Sequence, residues 1–354
     1  MTKKIKRFFL NYFSTLFVAW FAIQYYTVWT PYYSRLLYKR GEWDYFGIRV
    51  LLDFNEILWG LFWLYVVVLI PFYICYPKIR SKAGILVSAA WIALVQKKFP
   101  DTWSVRQAAL ATGVKFFFIP LMVSWLFGHL IGLHHQLIQL QQYWPVYSGR
   151  VLFDGYLFWT LLHLILLADV FMFTFGYLVE LPSLKNRIRS VEPTLWGWIV
   201  CLACYPPFNG WVGEVIQWKS RDFPFFTNDW LHFFLNSALL LLMAIYTWAS
   251  LALGFKASNL TNRGLVHSGP YRFVRHPAYF CKNLAWWIGA VPFLISGFRH
   301  ENWNLVAMTV ISVGFWSSLY YQRAVTEERH LLKGHIGYKA YMQQVPWRFI
   351  PKVI

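Results

Sequence analysis

Apolar residues in this chain gather in long runs instead of alternating with polar ones. Eight runs approach or exceed the length that crosses a bilayer: 8–30, 55–76, 110–132, 156–180, 194–210, 230–255, 279–297 and 303–322. A spanning helix needs roughly 20 mostly apolar residues, and inside lipid an open chain satisfies its backbone only as a helix. The pattern predicts an all-α, polytopic transmembrane helical bundle of about eight spans, ending in a cytoplasmic helical tail. A shorter run, "GILVSAAWIALV" at 84–95, has charge on both sides and is expected to lie in the interface or re-enter. The first run continues past Trp29 without a small-residue cleavage site, so a retained span is expected in place of a removed signal peptide. Two prolines in "YPPFNGW" at 205–211 break their run and suggest a turn on the outer face.

Composition supports this class. Charged residues are 14% and aromatic residues 21% of the chain, where a soluble domain is about a quarter charged; aromatic excess suits interfacial anchoring. A net charge of +18 could signal nucleic acid. A basic groove needs soluble surface, however, which this chain lacks, and no nucleic-acid partner is expected. The charge is better explained by where it falls. With eight spans and 84–95 not crossing, 23 Lys and Arg lie on the side of both termini and eight on the other. That asymmetry puts both termini in the cytoplasm, facing anionic lipid. Lys115 and Lys282 fall within spans, where their heads can snorkel to the boundary. Cys75, Cys201, Cys204 and Cys281 all lie in or beside apolar runs and read as small buried residues; "CLAC" at 201–204 lacks a second pair, and no metal is expected. Asp169 and His163, inside 156–180, are expected to hydrogen-bond between helices.

Candidate chemistry sits in two segments flanking the last hairpin. Ahead of 279–297 the chain reads "SGPYRFVRHPAYFCKN" from Ser268, and after 303–322 it reads "RAVTEERHLLKGHIGYKAYMQQVPWRFIPKVI". Glu327 and Glu328 are adjacent acids in a chain with only 15. Both segments are expected on the cytoplasmic side, so a basic turn and an acidic stretch can meet there.

"GLVHSGPYRFVRHPAYF" followed by "EERHLLKGHIGYKAYMQQVPWRFIP" resembles the isoprenylcysteine carboxyl methyltransferase family and its phospholipid methyltransferase relatives. The first block is carried by Ser268, Gly269, Pro270, Tyr271, Arg272, Arg275, His276, Pro277 and Tyr279. The second is carried by Glu327, Glu328, Leu331, Tyr338, Tyr341, Val345, Arg348, Ile350 and Pro351. The resemblance covers about 230–354; the family-like module is taken as 191–354, and 1–190 is a transmembrane region without an assigned role. Where the family has glycine two residues after the tyrosine, this chain has Cys281, followed by Lys282 and Asn283.

The resemblance implies an integral membrane enzyme that moves a methyl group from S-adenosylmethionine to a lipid-like or small amphipathic acceptor. Arg272, Arg275 or Arg348 would hold the cofactor carboxylate, and Glu327 or Glu328 its ammonium or ribose. Tyr271, Tyr279 and Trp286 would face the sulfonium, with Pro277 and Lys282 beside them. Arg348, His276 and Glu328 are the catalytic candidates. His276 would act as base for an amine acceptor or orient the turn; a carboxylate or thiolate acceptor needs no base. Two other classes remain: a sterol-reductase-type enzyme using NADPH, and a transporter or lipid-binding protein built on the unexplained N-terminal part.

Overall fold

The computed structural model describes residues 3–30, 40–45, 48–98, 100–334 and 337–353. Helix α1 (Lys3–Gln24) runs straight on from the basic N-terminal stretch and ends in a π-turn, Tyr25–Trp29. An antiparallel hairpin of β1 (Arg40–Tyr45) and β2 (Ile48–Asp53) follows, which the apolar pattern did not anticipate. Asp53 then opens α2 (Phe54–Cys75) with a reciprocal cap: its carboxylate accepts from Glu56 N (2.8 Å), and Asp53 N donates back to Glu56 Oε2 (2.8 Å). Ser81 caps α3 (Lys82–Gln96), the short apolar helix.

The chain forms two compact units, 1–127 and 128–354, and the division falls inside α4 (Trp103–Tyr143). In the first unit α1 packs on α2 and α3. Asn11 holds the approach to α3 by donating to Ile79 O (2.9 Å) and accepting from Ser81 N (3.0 Å). A Cβ on Gly84 would lie 2.7 Å from Asn11 Oδ1, so the glycine permits this contact.

The second unit contains α5 (Gly149–Leu178), α6 (Leu195–Leu202), α7 (Phe208–Val215), α8 (Asp229–Leu253), α9 (Pro277–Arg299), α10 (Trp303–Gly334) and α11 (Tyr338–Gln344). Helix α8 packs on both α5 and α9, and α10 packs on α9. Phe158, Leu239, Leu240 and Ala285 form the buried seam of the first three. Asp169 joins α5 to α8 by accepting from Tyr246 Oη (3.0 Å) and from Ser250 Oγ. His163 instead faces His129, Nδ1 to Nδ1 at 3.1 Å.

Among the described residues, six helical stretches are long and apolar enough to cross a membrane: α1 with its π-turn, α2, α4, α5, α8 and α9. The other two expected spans differ. The run 194–210 is not one helix but parts of two eight-residue helices, α6 and α7, separated around Pro206 and Pro207. Each proline removes a backbone donor and forbids the helix before it. The chain then runs beside α9 and α10 without regular structure: Ser220 Oγ donates to Trp286 O (2.8 Å), Arg221 N to Gly289 O (3.1 Å), and Lys219 N to Ser312 Oγ (3.2 Å). The last run, 303–322, lies in α10, a helix of 32 residues that continues unbroken past the run into the polar stretch as far as Gly334.

Loops expected to share a side do share an end of this unit. A two-residue ribbon of β3 (Ser190–Val191) and β4 (Thr261–Asn262) ties loop 181–193 to loop 256–278. At the other end of α5, Arg150 bonds Asp154 (3.3 Å), Asp229 and Phe226 O (2.7 Å), tying 133–155 to 211–229. The segment 192–228 therefore traverses the unit from one end to the other as a broken path.

Gly289 sets the closeness of that path. A Cβ there would stand 2.2 Å from Arg221 O and 2.4 Å from Ser220 Oγ. Gly289→Val is expected to destabilise the protein by about 1–3 kcal/mol, the usual cost of overpacking. Thermal unfolding of the detergent-purified protein reads this as a lowered midpoint; an unchanged midpoint would mean that 219–221 is free to move away.

Candidate active site

The turn after β4 is folded by its own sequence. Gly269 takes φ +60°, a left-handed conformation that favours glycine, and starts one 3₁₀ turn, Gly269–Arg272. Pro277 occupies the first position of α9, where no backbone donor is needed. Arg275 and His276 are thus presented between a rigid turn and a helix start.

Both residues are zipped to the C-terminal segment. Arg275 N donates to Trp347 O (3.0 Å) and His276 N to Arg348 O (2.9 Å). Arg275 Nη1 donates to Val345 O (2.9 Å) and Pro346 O (2.5 Å), and Tyr341 Oη donates to Tyr271 O (2.8 Å). Tyr338, Tyr341 and Val345 pack with Leu265 and Leu331 beneath this contact.

Glu328 stands at the centre. Its carboxylate accepts from Arg275 Nε (2.8 Å), Arg348 Nη2 (2.7 Å) and Nε (3.2 Å), and His276 Nε2 (3.2 Å). It is 3% exposed. Burial opposes its charge, but the bonds from His276, Arg348 and Arg275 outweigh burial and hold the carboxyl far below the usual glutamate range. Glu328 is a clasp joining three segments, with its oxygens already engaged by the chain.

Glu327, one residue earlier, points elsewhere. It is half-buried, accepts from Tyr279 Oη, and lines a cavity of about 190 Å³. Tyr279 stacks on His276 at 5.4 Å between ring centroids. The cavity is enclosed by the ends of α8, α9 and α10, the β4 turn and the chain around Glu192 and Tyr205. Arg323 is 2% exposed in its wall, with its guanidinium over the rings of Tyr320 (4.8 Å), Tyr279 (5.0 Å) and Tyr205 (5.5 Å). Its Nη2 donates to Asn259 Oδ1 (2.8 Å), while Nε finds no hydrogen-bond partner among the described residues. Arg263 Nη2 is likewise buried with no hydrogen-bond partner, although Nη1 donates to Asn186 O (2.6 Å).

Of the expected site residues, Tyr271, Arg275, His276, Tyr279, Lys282 and Glu327 line this cavity. Glu328 and Arg348 stand behind it in the clasp. Arg272 is exposed and outside the lining, and Pro277 is buried at the helix start. Trp286 is one turn further along α9, against Tyr320 (5.1 Å between ring centroids). Cys281, where the family has glycine, is buried and does not reach the lining, whereas Lys282 does.

Arg323 and Arg263, arginines with a buried donor that has no partner among the described residues, were not anticipated. For Arg323 a signal was present: Tyr320, Arg323, Glu327 and His330 recur at helical spacing and form one polar face of α10. Arg263 lies upstream of the motif in a turn with no pattern of its own.

Residues 230–333 match the family model of the isoprenylcysteine carboxyl methyltransferase (ICMT) family, the family that the two motif blocks resemble. No curated protein and no solved structure matches the chain. The matched span begins at the start of α8 and ends just before the close of α10.

Removing the clasp charge is expected to be costly. Glu328→Gln leaves Arg275 and Arg348 without their counter-ion, and losing one partner of a buried pair costs about 3–5 kcal/mol. Because the folded carboxyl titrates below the unfolded one, whose pKa is about 4.3, the unfolded state binds more protons as the solution becomes acidic. The stability contributed by Glu328 is therefore complete above about pH 5 and is lost as pH falls from there. Unfolding of wild type and Glu328→Gln from pH 7 to pH 3 checks this: their difference should shrink on acidification, and a constant difference would refute the clasp.

Proposed function

We propose that this protein is an integral membrane methyltransferase. It would transfer a methyl group from S-adenosylmethionine to a lipid-like or small amphipathic acceptor, of the isoprenylcysteine carboxylate type or related. Both termini face the cytoplasm in this reading, and the acceptor comes from the bilayer. One observation carries it: the motif turn and the Glu327–Glu328 stretch close around a cavity whose wall holds two guanidinium groups with unfilled donors. The family match over 230–333 supports the same activity.

The residues fit an amino-acid nucleoside. Arg323 and Arg263 are buried cations suited to a carboxylate, and Glu327 is a carboxylate suited to an ammonium or ribose hydroxyls. Tyr271, which also lines the cavity, offers an aromatic ring to a sulfonium, an attraction of about 0.5–2 kcal/mol, whereas the rings of Tyr279 and Tyr320 already lie under Arg323. S-adenosylmethionine, when bound, supplies an electrophilic methyl on a cationic sulfur. The chain contributes position. Holding nucleophile and electrophile in line is worth up to about 7–11 kcal/mol, and the clasp at Glu328 fixes the turn that carries Tyr271, Tyr279 and His276. His276 donates to Glu328 and stacks on Tyr279, so its role here is to orient the turn.

Isothermal titration separates this reading from its rival. The purified protein should release heat with S-adenosylmethionine and S-adenosylhomocysteine, and Arg323→Met should weaken both by about 10–100-fold, as expected for a lost charge-assisted bond. Binding of NADPH alone would overturn the methyltransferase reading in favour of a reductase.

A further inference from the structure

Glu192 and His330 line the cavity and have no part in the chemistry described so far. They are 5% and 9% exposed. Glu192 lies outside the span that matches the family model and is carried into the cavity wall by the β3–β4 ribbon. The end of α10 holds that ribbon: Asn262 Nδ2 donates to Gly334 O (3.3 Å), and His330 Nε2 lies 2.9 Å from Ser190 Oγ.

Each of the two side chains presents an acceptor that no donor among the described residues fills. Glu192 Oε1 accepts from Thr194 N (3.0 Å) and Thr194 Oγ1 (2.5 Å). Its Oε2 stands 3.9 Å from His330 Nδ1, beyond hydrogen-bond distance. Burial lowers the affinity of His330 for a proton against the pull of Glu192 and Glu327, so the ring is neutral at neutral pH. A proton on Nδ1 would draw the carboxylate to bonding distance. The ring proton therefore belongs on Nε2, toward Ser190, and Nδ1 is an acceptor. A buried acceptor left empty is costly, and here two stand side by side on one cavity.

Paired acceptors call for paired donors. In an amino-acid nucleoside the vicinal hydroxyls of ribose are adjacent and neutral, and each carries one O–H. They stand closer together than the two acceptors do, so each can reach outward to one of them. A carboxylate on a ribose hydroxyl is also a recurrent device of nucleotide sites. An ammonium is better matched by Glu327, since one of the two acceptors here is an uncharged imidazole.

We propose that Glu192 and His330 form a ribose subsite: Glu192 Oε2 and His330 Nδ1 each accept from one of two neighbouring hydroxyls, and Glu327 is left to the ammonium. The subsite rests on the reading of this cavity as the S-adenosylmethionine site. It gives loop 181–193, which the family match does not reach, a part in recognising the nucleoside.

Isothermal titration with S-adenosylhomocysteine and its 2′-deoxy and 3′-deoxy analogues tests this without turnover. In wild type each missing hydroxyl is expected to weaken binding about tenfold, the loss of a bond to a buried acceptor. Glu192→Gln sets an amide donor against His330 Nδ1, so it should weaken the parent and erase the differences between parent and analogues. Glu327→Gln should weaken all three ligands and keep the differences. Thermal transitions check that the variants fold. If Glu192→Gln does not, His330→Leu replaces it and should erase the difference for one analogue only; should neither fold, wild type and Glu327→Gln decide. Equal binding of the parent and either analogue by wild type overturns the subsite and leaves the cofactor site standing. So do differences that survive in folded Glu192→Gln, that vanish in Glu327→Gln, or that persist for both analogues in His330→Leu. Absence of heat with S-adenosylhomocysteine itself overturns the broader reading, and the subsite with it.

Discussion

A carboxylate buried away from water must be matched by positive charge, and at Glu328 that requirement organises the whole functional end of the second unit. Two guanidinium groups and an imidazole from two segments far apart in sequence, the 268–276 turn and the C-terminal stretch around Arg348, converge on one acid of α10. Tyr338, Tyr341 and Val345 add a small cluster, but the register is set by the charge and by the backbone bonds from Arg275 and His276. Once the clasp is made, the walls of the cavity are fixed relative to one another.

The two adjacent glutamates divide the work. Consecutive residues on a helix point about 100° apart, so they cannot serve one site equally. Glu328 faces the turn and the tail and has its oxygens engaged. Glu327 faces the cavity, accepts from Tyr279 and lies 3.8 Å from His276 Nδ1. A pair of acids that looks redundant in sequence is one structural ion and one ligand-facing ion. The same division separates the arginines: Arg275 and Arg348 are held by Glu328, while Arg323 and Arg263, which line the cavity, each keep a donor without a partner among the described residues.

What the sequence disclosed follows what its signals measure. Long apolar runs report burial in lipid, and they located α1, α2, α4, α5, α8 and α9. They could not report continuity: the run at 194–210 was counted among the spans by its apolarity, and only Pro206 and Pro207 marked the break. They also missed the β1–β2 hairpin, because two short strands carry no long apolar run. The motif blocks led to the turn, to Glu327 and Glu328, and to the tail. Within them, residue type did not disclose role. Arg272 and Arg275 look equivalent on the page, yet one is exposed and the other is 7% exposed with four hydrogen-bond contacts to describe its position. Direction of a side chain depends on the 3₁₀ turn at Gly269, which spacing alone does not encode.

The broken path from 192 to 228 is best understood through the cavity. Irregular backbone at membrane depth persists only where protein surrounds it or a cavity adjoins it. Here both conditions hold. Glu192 and Tyr205, at the start of the path and at its break, line the cavity, and the stretch after α7 is satisfied by α9 and α10 through Ser220, Arg221 and Lys219. A straight helix over 194–210 would carry its residues past the site at one turn per 5.4 Å. Interrupting it turns the chain so that Tyr205 joins Tyr279 and Tyr320 around Arg323. The lost helical bonds are offset by neighbours that the α8–α10 packing already supplies, and the break becomes a means of bringing an aromatic wall to a buried cation.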